Sequence, residues 1–304
     1  MKKNQVPLLP QMEKKTLHRA GFVSIIGKPN VGKSTLMNQM VGERLSIITS
    51  KAQTTRHRIM GILSGHDFQV IYSDTPGIIK PEYELHNSMM HFVRSSLEDA
   101  DIVLFVTDIY EKNDEEIEKN LKKIKAPVLL VLNKIDQAKG TQVEDKITYW
   151  KDLVEARAYL PVSALEGTNV DQVFDHILNE LPEHPAYYPK DALTDKPERF
   201  FVEELVREKI FLNYKKEVPY STEVVVTEFK EDETIIRIRA EIYVERKSQK
   251  GIIIGKGGQA LKKVGIEARA DLEKFFDKQI HIETFVKVAE DWRRKERALR
   301  NFGY

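Results

Sequence analysis

The stretch Gly27-Lys28-Pro29-Asn30-Val31-Gly32-Lys33-Ser34-Thr35 decides the fold. It has the form G-x-x-x-x-G-K-[ST]. The apolar run Phe22–Ile26 precedes it and the amphipathic stretch Lys33–Val41 follows. Strand, glycine loop and helix, in that order, are the context in which such a loop wraps a phosphate. Gly27 and Gly32 carry no Cβ, so the backbone can close around the anion. Loop N–H groups and the helix N-terminus supply donors and partial positive charge. Lys33 is placed to reach β- and γ-phosphates, and Ser34 to offer its hydroxyl to Mg²⁺.

Outward from this loop, short apolar runs alternate with amphipathic stretches. Expected strands are Phe22–Ile26, Arg58–Leu63, Phe68–Ser73, Ile102–Thr107, Val128–Leu132 and Ala158–Pro161. Expected helices are Lys33–Val41, Leu85–Glu98, Asp114–Ile124, Val143–Glu155 and Val170–Glu180. This alternation predicts an α/β domain with a mostly parallel sheet covered on both faces.

Three further motifs fall at expected strand ends, where open α/β sheets bind their ligands. Asp74-Thr75-Pro76-Gly77 follows the third strand. Asp74 is placed to hold Mg²⁺ through water, and the Gly77 N–H to meet a γ-phosphate. Asn133-Lys134-Ile135-Asp136 follows the fifth strand and reads the base. The Asp136 carboxylate can accept from both N1–H and the 2-amino group of guanine. Adenine offers neither donor there, a difference of roughly 2–4 kcal/mol. Asn133 braces this loop and the Lys134 stem covers the ring. Ser163-Ala164-Leu165 closes the pocket, with the Ala164 N–H directed at guanine O6. In Gln53-Thr54-Thr55-Arg56 a threonine can complete the Mg²⁺ shell and sense the γ-phosphate. Thr55 is slightly preferred over Thr54. The four ordered motifs predict a P-loop GTPase domain of Ras-like fold that binds GTP or GDP with Mg²⁺. Lys33, Thr55 and Gly77 are its candidate catalytic residues.

The composition changes between Leu181 and Phe200, where Pro182, Pro185, Pro189 and Pro197 cluster. Proline blocks helix continuation and stiffens extended chain. The expected organisation is a flexible leader over 1–18, a GTPase domain over 19–181, a linker over 182–199 and a second domain over 200–304. The second domain reads as helix Phe200–Asn213, strands Ser221–Phe229 and Thr234–Val244, a further helix, a glycine loop, helix Gln259–Asp277 and strand Ile280–Val288.

That loop, Gly255-Lys256-Gly257-Gly258, has the G-x-x-G form that clamps the backbone of about four single-stranded nucleotides. Arg246, Lys247, Lys250, Lys256, Lys262 and Lys263 surround it with no acid between them. In a chain of formal net charge +1 this is a strongly local basic patch, and it favours phosphates. RNA-binding candidates are Lys247, Lys250, Gly255, Lys256, Gly257, Gly258, Lys262 and Lys263. The run Trp292–Arg300 is also basic, and reads equally as a second phosphate contact or a solvated helix.

The bulk composition excludes some classes. At 41% hydrophobic and 31% charged residues the chain is globular rather than disordered. It has no cysteine, so it has no disulfide framework, thiolate zinc site or cysteine nucleophile. The eight histidines show no metal-ligand spacing. No stretch approaches the ~18 apolar residues of a membrane span.

The sequence Gly27–Thr35 together with Asp74–Gly77 resembles the Era/TrmE branch of the translation-factor-like GTPases. The resemblance extends to Lys247–Leu261, which is similar to the signature of the Era family's type II KH domain, an α+β fold. It implies an RNA partner, the 3′ end of 16S rRNA in the 30S subunit, and a role in small-subunit assembly. It also implies a monomer in the cytoplasm, with peripheral contact at the inner face of the cell membrane. Where many Ras-like enzymes place a water-orienting Gln, Ile78 stands here. The family treats this as a hydrophobic substitution, and slow intrinsic hydrolysis is expected. The alternative is a constitutive RNA-binding factor in which GTP is mainly structural. No arginine finger is assigned, although Arg56 and Arg58 are nearby. Asn30 matches the asparagine that ligates K⁺ in related cation-activated GTPases; K⁺ ligand and loop-shaping residue remain equal readings.

Overall fold

The computed structural model describes residues 17–111 and 121–304. The first half is built on β1 (Arg19–Ile26), α1 (Lys33–Val41), β2 (Ile59–Ser64), β3 (Phe68–Asp74), α2 (Glu84–Glu98), β4 (Ile102–Asp108), β5 (Val128–Asn133), α3 (Gln142–Leu153), β6 (Ala158–Pro161) and α4 (Val170–Glu180). The expected helix Asp114–Ile124 falls mostly outside the described residues, as does the leader up to residue 16.

The strands form one six-stranded sheet in the order β2-β3-β1-β4-β5-β6. All neighbours are parallel except β2, which runs antiparallel to β3. Every residue of β4 and β5 is buried, which suits strands covered on both faces. On one face Leu36, Met37 and Met40 of α1 and Val173 and Ile177 of α4 pack against Val23, Ile25, Leu104 and Val131. On the other, Leu85, Met89 and Val93 share one side of α2 by their four-residue spacing and meet Val103, Phe105 and Leu130.

The direction of β2 matters for the site. Ile59 pairs with Asp74, so β2 starts at the rim where β3 ends. The segment just before β2, with Thr55, therefore reaches the same rim as the phosphate loop.

The second half holds α5 (Glu198–Asn213), β7 (Glu223–Glu231), β8 (Ile235–Val244), α6 (Lys247–Ile254), α7 (Gln259–Phe276), β9 (Gln279–Val288) and a short α8 (Glu296–Asn301). Its sheet has the order β7-β8-β9, with the first pair antiparallel and the second parallel. Val206 and Ile210 of α5, Ile253 of α6 and Val264 and Ala268 of α7 bury one face of it against Ala240, Ile242 and Val286. This is the expected α+β arrangement.

Two stretches show more than the sequence signals. The expected linker over 182–199 is fastened along part of its length to the first sheet. The Ile62 N–H donates to the Leu193 carbonyl at 2.8 Å and the Met60 N–H to Asp195 at 3.0 Å. The Gln69 carboxamide holds the backbone at Tyr187 and Tyr188. The segment thereby satisfies the open edge of β2, which would otherwise offer unpaired backbone groups. The basic run at 292–300 is only partly a surface feature. Trp292 is fully buried in the core beside α2, its ring N–H donating to the Ser221 carbonyl at 3.0 Å. Arg293 pairs with Glu245 at 2.5 Å. Arg294, Arg297 and Arg300 are exposed. An aromatic anchor inside a basic run is invisible to charge counting.

Candidate functional site: a nucleotide cleft and an exposed glycine loop

The carboxyl ends of β1, β3 and β5 deliver the phosphate loop, Asp74 and Asn133 to one rim. There they line a cavity of about 360 Å³ with Asn30, Lys33, Ser34, Thr35, Thr55, Gly77, Lys134, Asp136 and Leu165 among its walls. Motifs spread over more than a hundred residues of sequence thus meet in one cleft.

Gly32 adopts φ 98°, a left-handed conformation that favours glycine. A Cβ there would lie 2.1 Å from Asn133 Nδ2. The space is needed because Asn133 Nδ2 donates to the Val31 carbonyl at 2.8 Å. The base loop thus rests on the phosphate loop. At the other side Gly77 packs against Pro29, and the Ile78 N–H donates to the Gly27 carbonyl at 3.0 Å.

Lys33 is buried and donates to the carbonyls of Gly27 (3.2 Å) and Lys28 (2.8 Å). Burial lowers its pKa to about 8, against the pull of Asp74 and Glu111. Ser34 Oγ donates to Asp74 Oδ2 at 2.6 Å and lies 2.9 Å from Thr55 Oγ1. Thr54 also lines the cavity but its hydroxyl bonds Thr49 and the Lys51 carbonyl, so Thr55 is the threonine whose hydroxyl meets Ser34. Burial raises the Asp74 pKa, opposed by the Ser34 hydrogen bond and by Lys33. Asp74 Oδ1 is buried without a hydrogen bond. Two hydroxyls and a buried carboxylate with one unsatisfied oxygen suit a hard, oxygen-seeking cation such as Mg²⁺. Asn30 Nδ2 donates to the Ser50 carbonyl at 3.0 Å, which ties the phosphate loop to the segment before Thr55.

At the base end Asp136 accepts from Ser163 Oγ at 2.6 Å, which fixes the carboxylate. Thr75, Pro76 and Ile135 are not among the lining residues of this cavity; the Thr75 hydroxyl donates to the Ile25 carbonyl at 2.7 Å. One expectation needs correcting. The Ala164 N–H is not free for O6; it donates to Asn133 Oδ1 at 2.9 Å, because the Asn133 side chain sits between both loops. Arg56 and Arg58 are also turned away from the phosphate site. Arg56 is buried against Glu223 at 2.9 Å and Arg58 pairs with Asp99 at 2.6 Å.

Asp108 and Glu111 were missed by sequence reasoning. Asp108 ends β4 beside Asn133 in the strand register and holds Lys134 Nζ at 2.6 Å. Glu111 lies 3.3 Å from Lys28 and accepts from Thr107 at 2.5 Å. Burial raises its pKa, with the Thr107 bond and Lys28 opposing. The strand-end position of Asp108 was the one signal available.

In the second domain Gly255, Gly257 and Gly258 take φ 70°, 58° and 77° and turn the chain from α6 into α7. Lys247, Lys256, Lys262 and Lys263 are exposed around this turn and Lys250 half-buried. Ile252 on α6 is also exposed. Gly257 and these ammonium groups are thus open to solvent in the turn and on the elements that flank it.

Residues 22–134 match the family described as 50S ribosome-binding GTPase, and residues 217–293 match the KH domain family. The chain is 45% identical over 293 residues to GTPase Era of Staphylococcus haemolyticus, covering 95% of this chain and 98% of that protein. The chain belongs to the Era GTPase family. It is also 48% identical over 294 residues to the chloroplastic GTPase ERA1 of Zea mays, across 94% of this chain and 71% of that one. A solved structure of Era in complex with MgGDPNP and nucleotides 1506–1542 of 16S ribosomal RNA superposes with TM-score 0.88 at 40% identity, covering 94% and 99% of the two chains. A point variant of Aquifex aeolicus Era bound to GDP·AlF4⁻ gives the same values. As an Era-family member this protein is a P-loop GTPase with a C-terminal KH domain. Among the described residues no helix is long and apolar enough to cross a membrane.

Proposed function

We propose that this protein binds the 3′ end of 16S rRNA through its KH loop, and that its nucleotide state governs that binding during 30S subunit assembly. The observation behind this reading is the left-handed Gly255–Gly258 turn, with Lys256 and Gly257 exposed in it and exposed lysines on the flanking helices. It is joined by the likeness to Era in complex with that RNA segment. In this reading Asp136 selects guanine and Lys33 neutralises the β/γ-phosphates. Ser34, Thr55 and Asp74 would hold Mg²⁺, and the Gly77 N–H would meet the γ-phosphate. Bound Mg²⁺ supplies positive charge that stabilises phosphoryl transfer. The protein acts as a cytoplasmic monomer whose KH domain sits differently with GTP and GDP.

Such gating requires GTP to favour one arrangement over the other. Crosslinking and sequencing of bound RNA, with GTP and with GDP, tests partner and gating together. Recovery of 16S 3′-end fragments in a nucleotide-dependent yield supports the reading; identical RNA affinity with GDP and a non-hydrolysable GTP analogue rules the gating out. Ile78 in place of a water-orienting Gln favours a second reading, in which RNA binding is constitutive and GTP mainly structural. Multiple-turnover phosphate release that RNA accelerates speaks against it. The Asn30 Nδ2 bond to the Ser50 carbonyl joins the two segments whose oxygens would hold K⁺, and fits a loop-shaping Asn equally; equal turnover in KCl and NaCl at one ionic strength ends the K⁺ idea.

A further inference from the structure

The segment that carries Thr55 is held from outside its own domain. Arg207, on α5 of the second domain, is 1% exposed. Its Nη2 donates to the Thr54 carbonyl at 2.5 Å. Glu204, one turn earlier on the helix, grips the same guanidinium at 2.8 and 2.5 Å, so the helix itself sets the direction of the fork. Next along α5, Glu208 accepts from the Ile48 N–H at 3.2 Å and from Arg44 at 2.6 and 2.7 Å. Lys51 donates to the carbonyls of Phe211 and Tyr214. Beyond Thr55, the buried Arg56 donates to the carbonyls of Thr222 and Tyr220 at 2.8 and 2.9 Å. Thr55 is therefore flanked on both sides by residues fastened to the second domain. Its own hydroxyl faces the nucleotide site at Ser34.

We propose that Arg207 is a positioning residue for the GTPase site: by holding the Thr54 carbonyl it fixes the Thr55 hydroxyl beside Ser34 and Asp74, so the second domain completes the Mg²⁺ end of the cleft across the domain seam. The inference rests on the reading of Thr55 as an Mg²⁺ ligand. A backbone carbonyl one residue from a ligating hydroxyl has little slack, and a misplacement of about 1 Å at such a site costs about 100-fold in rate. The guanine end does not depend on this contact, because Asn133 and Asp136 are held by the phosphate loop and Ser163.

The test uses the full chain. In E204Q/R207M the fork and its partner charge are removed together, which avoids leaving a buried carboxylate unpaired. R207K keeps the charge for Glu204 but loses the planar fork. Three quantities are read for each: affinity for a fluorescent GTP analogue as Mg²⁺ is varied, GDP affinity in EDTA, and kcat apart from KM. Backbone hydrogen exchange over residues 46–57 gives a readout independent of activity. The proposal expects E204Q/R207M to need about 10-fold or more Mg²⁺, to exchange faster over 46–57 and to lose kcat, with GDP affinity in EDTA unchanged; R207K falls between it and wild type. Wild-type Mg²⁺ dependence, exchange and kcat in a variant that still binds GDP would overturn it. If the double variant fails to fold, R207K decides alone: raised Mg²⁺ demand supports the proposal and wild-type behaviour overturns it. Wild-type protein that bound no guanine nucleotide would overturn the GTPase reading and this inference with it, an outcome distinct from normal binding with indifferent variants.

Discussion

Ser34 Oγ donates to Asp74 Oδ2 at 2.6 Å across 40 residues of sequence. One residue lies in the first turn of α1 and the other ends β3, and the pairing of β1 with β3 brings the two ends together. Thr55 closes the group at 2.9 Å from Ser34. Replacing Ser34 by Ala removes a hydroxyl from this set while leaving the phosphate loop intact. The Mg²⁺ concentration needed for tight GTP binding should rise about 10- to 100-fold, and GDP binding without Mg²⁺ should barely change. Nucleotide titrations across an Mg²⁺ series check this; an unaltered Mg²⁺ requirement would remove Ser34 from the metal site.

Lys33 carries a pH signature. Burial lowers its pKa from 10.5 to about 8. Bound phosphates favour the charged ammonium and raise that value. Above pH 8, up to the raised value of the bound state, nucleotide binding must therefore take up a proton, and affinity should fall as pH rises above about 8. Well below that range Lys33 is already charged and the slope from this residue vanishes. Calorimetry at about pH 9, inside this window, in two buffers of different ionisation enthalpy measures the proton directly. Binding there with no proton uptake would place Lys33 away from the phosphates.

Gly32 links the two ends of the cleft. Gly32→Ala forces a side chain into φ 98° and into Asn133 Nδ2. The left-handed backbone costs about 1–2 kcal/mol and the lost bond to Val31 about 1 kcal/mol. Guanine affinity and phosphate affinity should both drop, and the thermal shift given by GDP should shrink or vanish. A full GDP shift in G32A would show that the two loops are not coupled through Asn133.

The nucleotide cleft was legible in the sequence because its motifs are contiguous and sit at strand ends. Lys33, Asp74 and Asp136 needed only their motifs and their order. The Lys134–Asp108 pair was not legible, since it depends on β4 and β5 pairing in a register that sets Asp108 beside Asn133. Arg56 looked like a neighbour of the phosphates because it adjoins Thr55. Its side chain instead enters the second domain, at Glu223. The prolines at 182–197 signalled a break in helix correctly, but proline content says nothing about which edge an extended segment will cover. Here it covers β2. Trp292 carries the same lesson: an apolar ring in a basic run sets where the tail packs.

The KH surface predicts a salt signature. Replacing Lys250 and Lys256 with Ala should weaken single-stranded RNA binding about equally for different sequences. Each phosphate no longer neutralised should reduce the slope of log K against log salt by about 0.7. Anisotropy titrations of a labelled RNA over a salt series measure this. A slope identical to wild type would mean these lysines do not meet phosphates. Gly257 at φ 58° is untouched by either change, so the turn itself survives the test.

In the proposed reading guanine selection rests on Asp136, held by Ser163 at 2.6 Å, at the rim where Lys33 and Asp74 converge. The most direct measurement is the binding of GDP and of xanthosine diphosphate to wild type and to Asp136→Asn. The amide turns one accepting oxygen into a donor, which suits the extra carbonyl of xanthine. Wild type should prefer GDP, and D136N should lose about thirtyfold or more in GDP affinity and gain for the xanthine nucleotide. A D136N protein that still binds GDP as wild type does would contradict base reading by this carboxylate, and with it the assignment of the cleft to a guanine nucleotide.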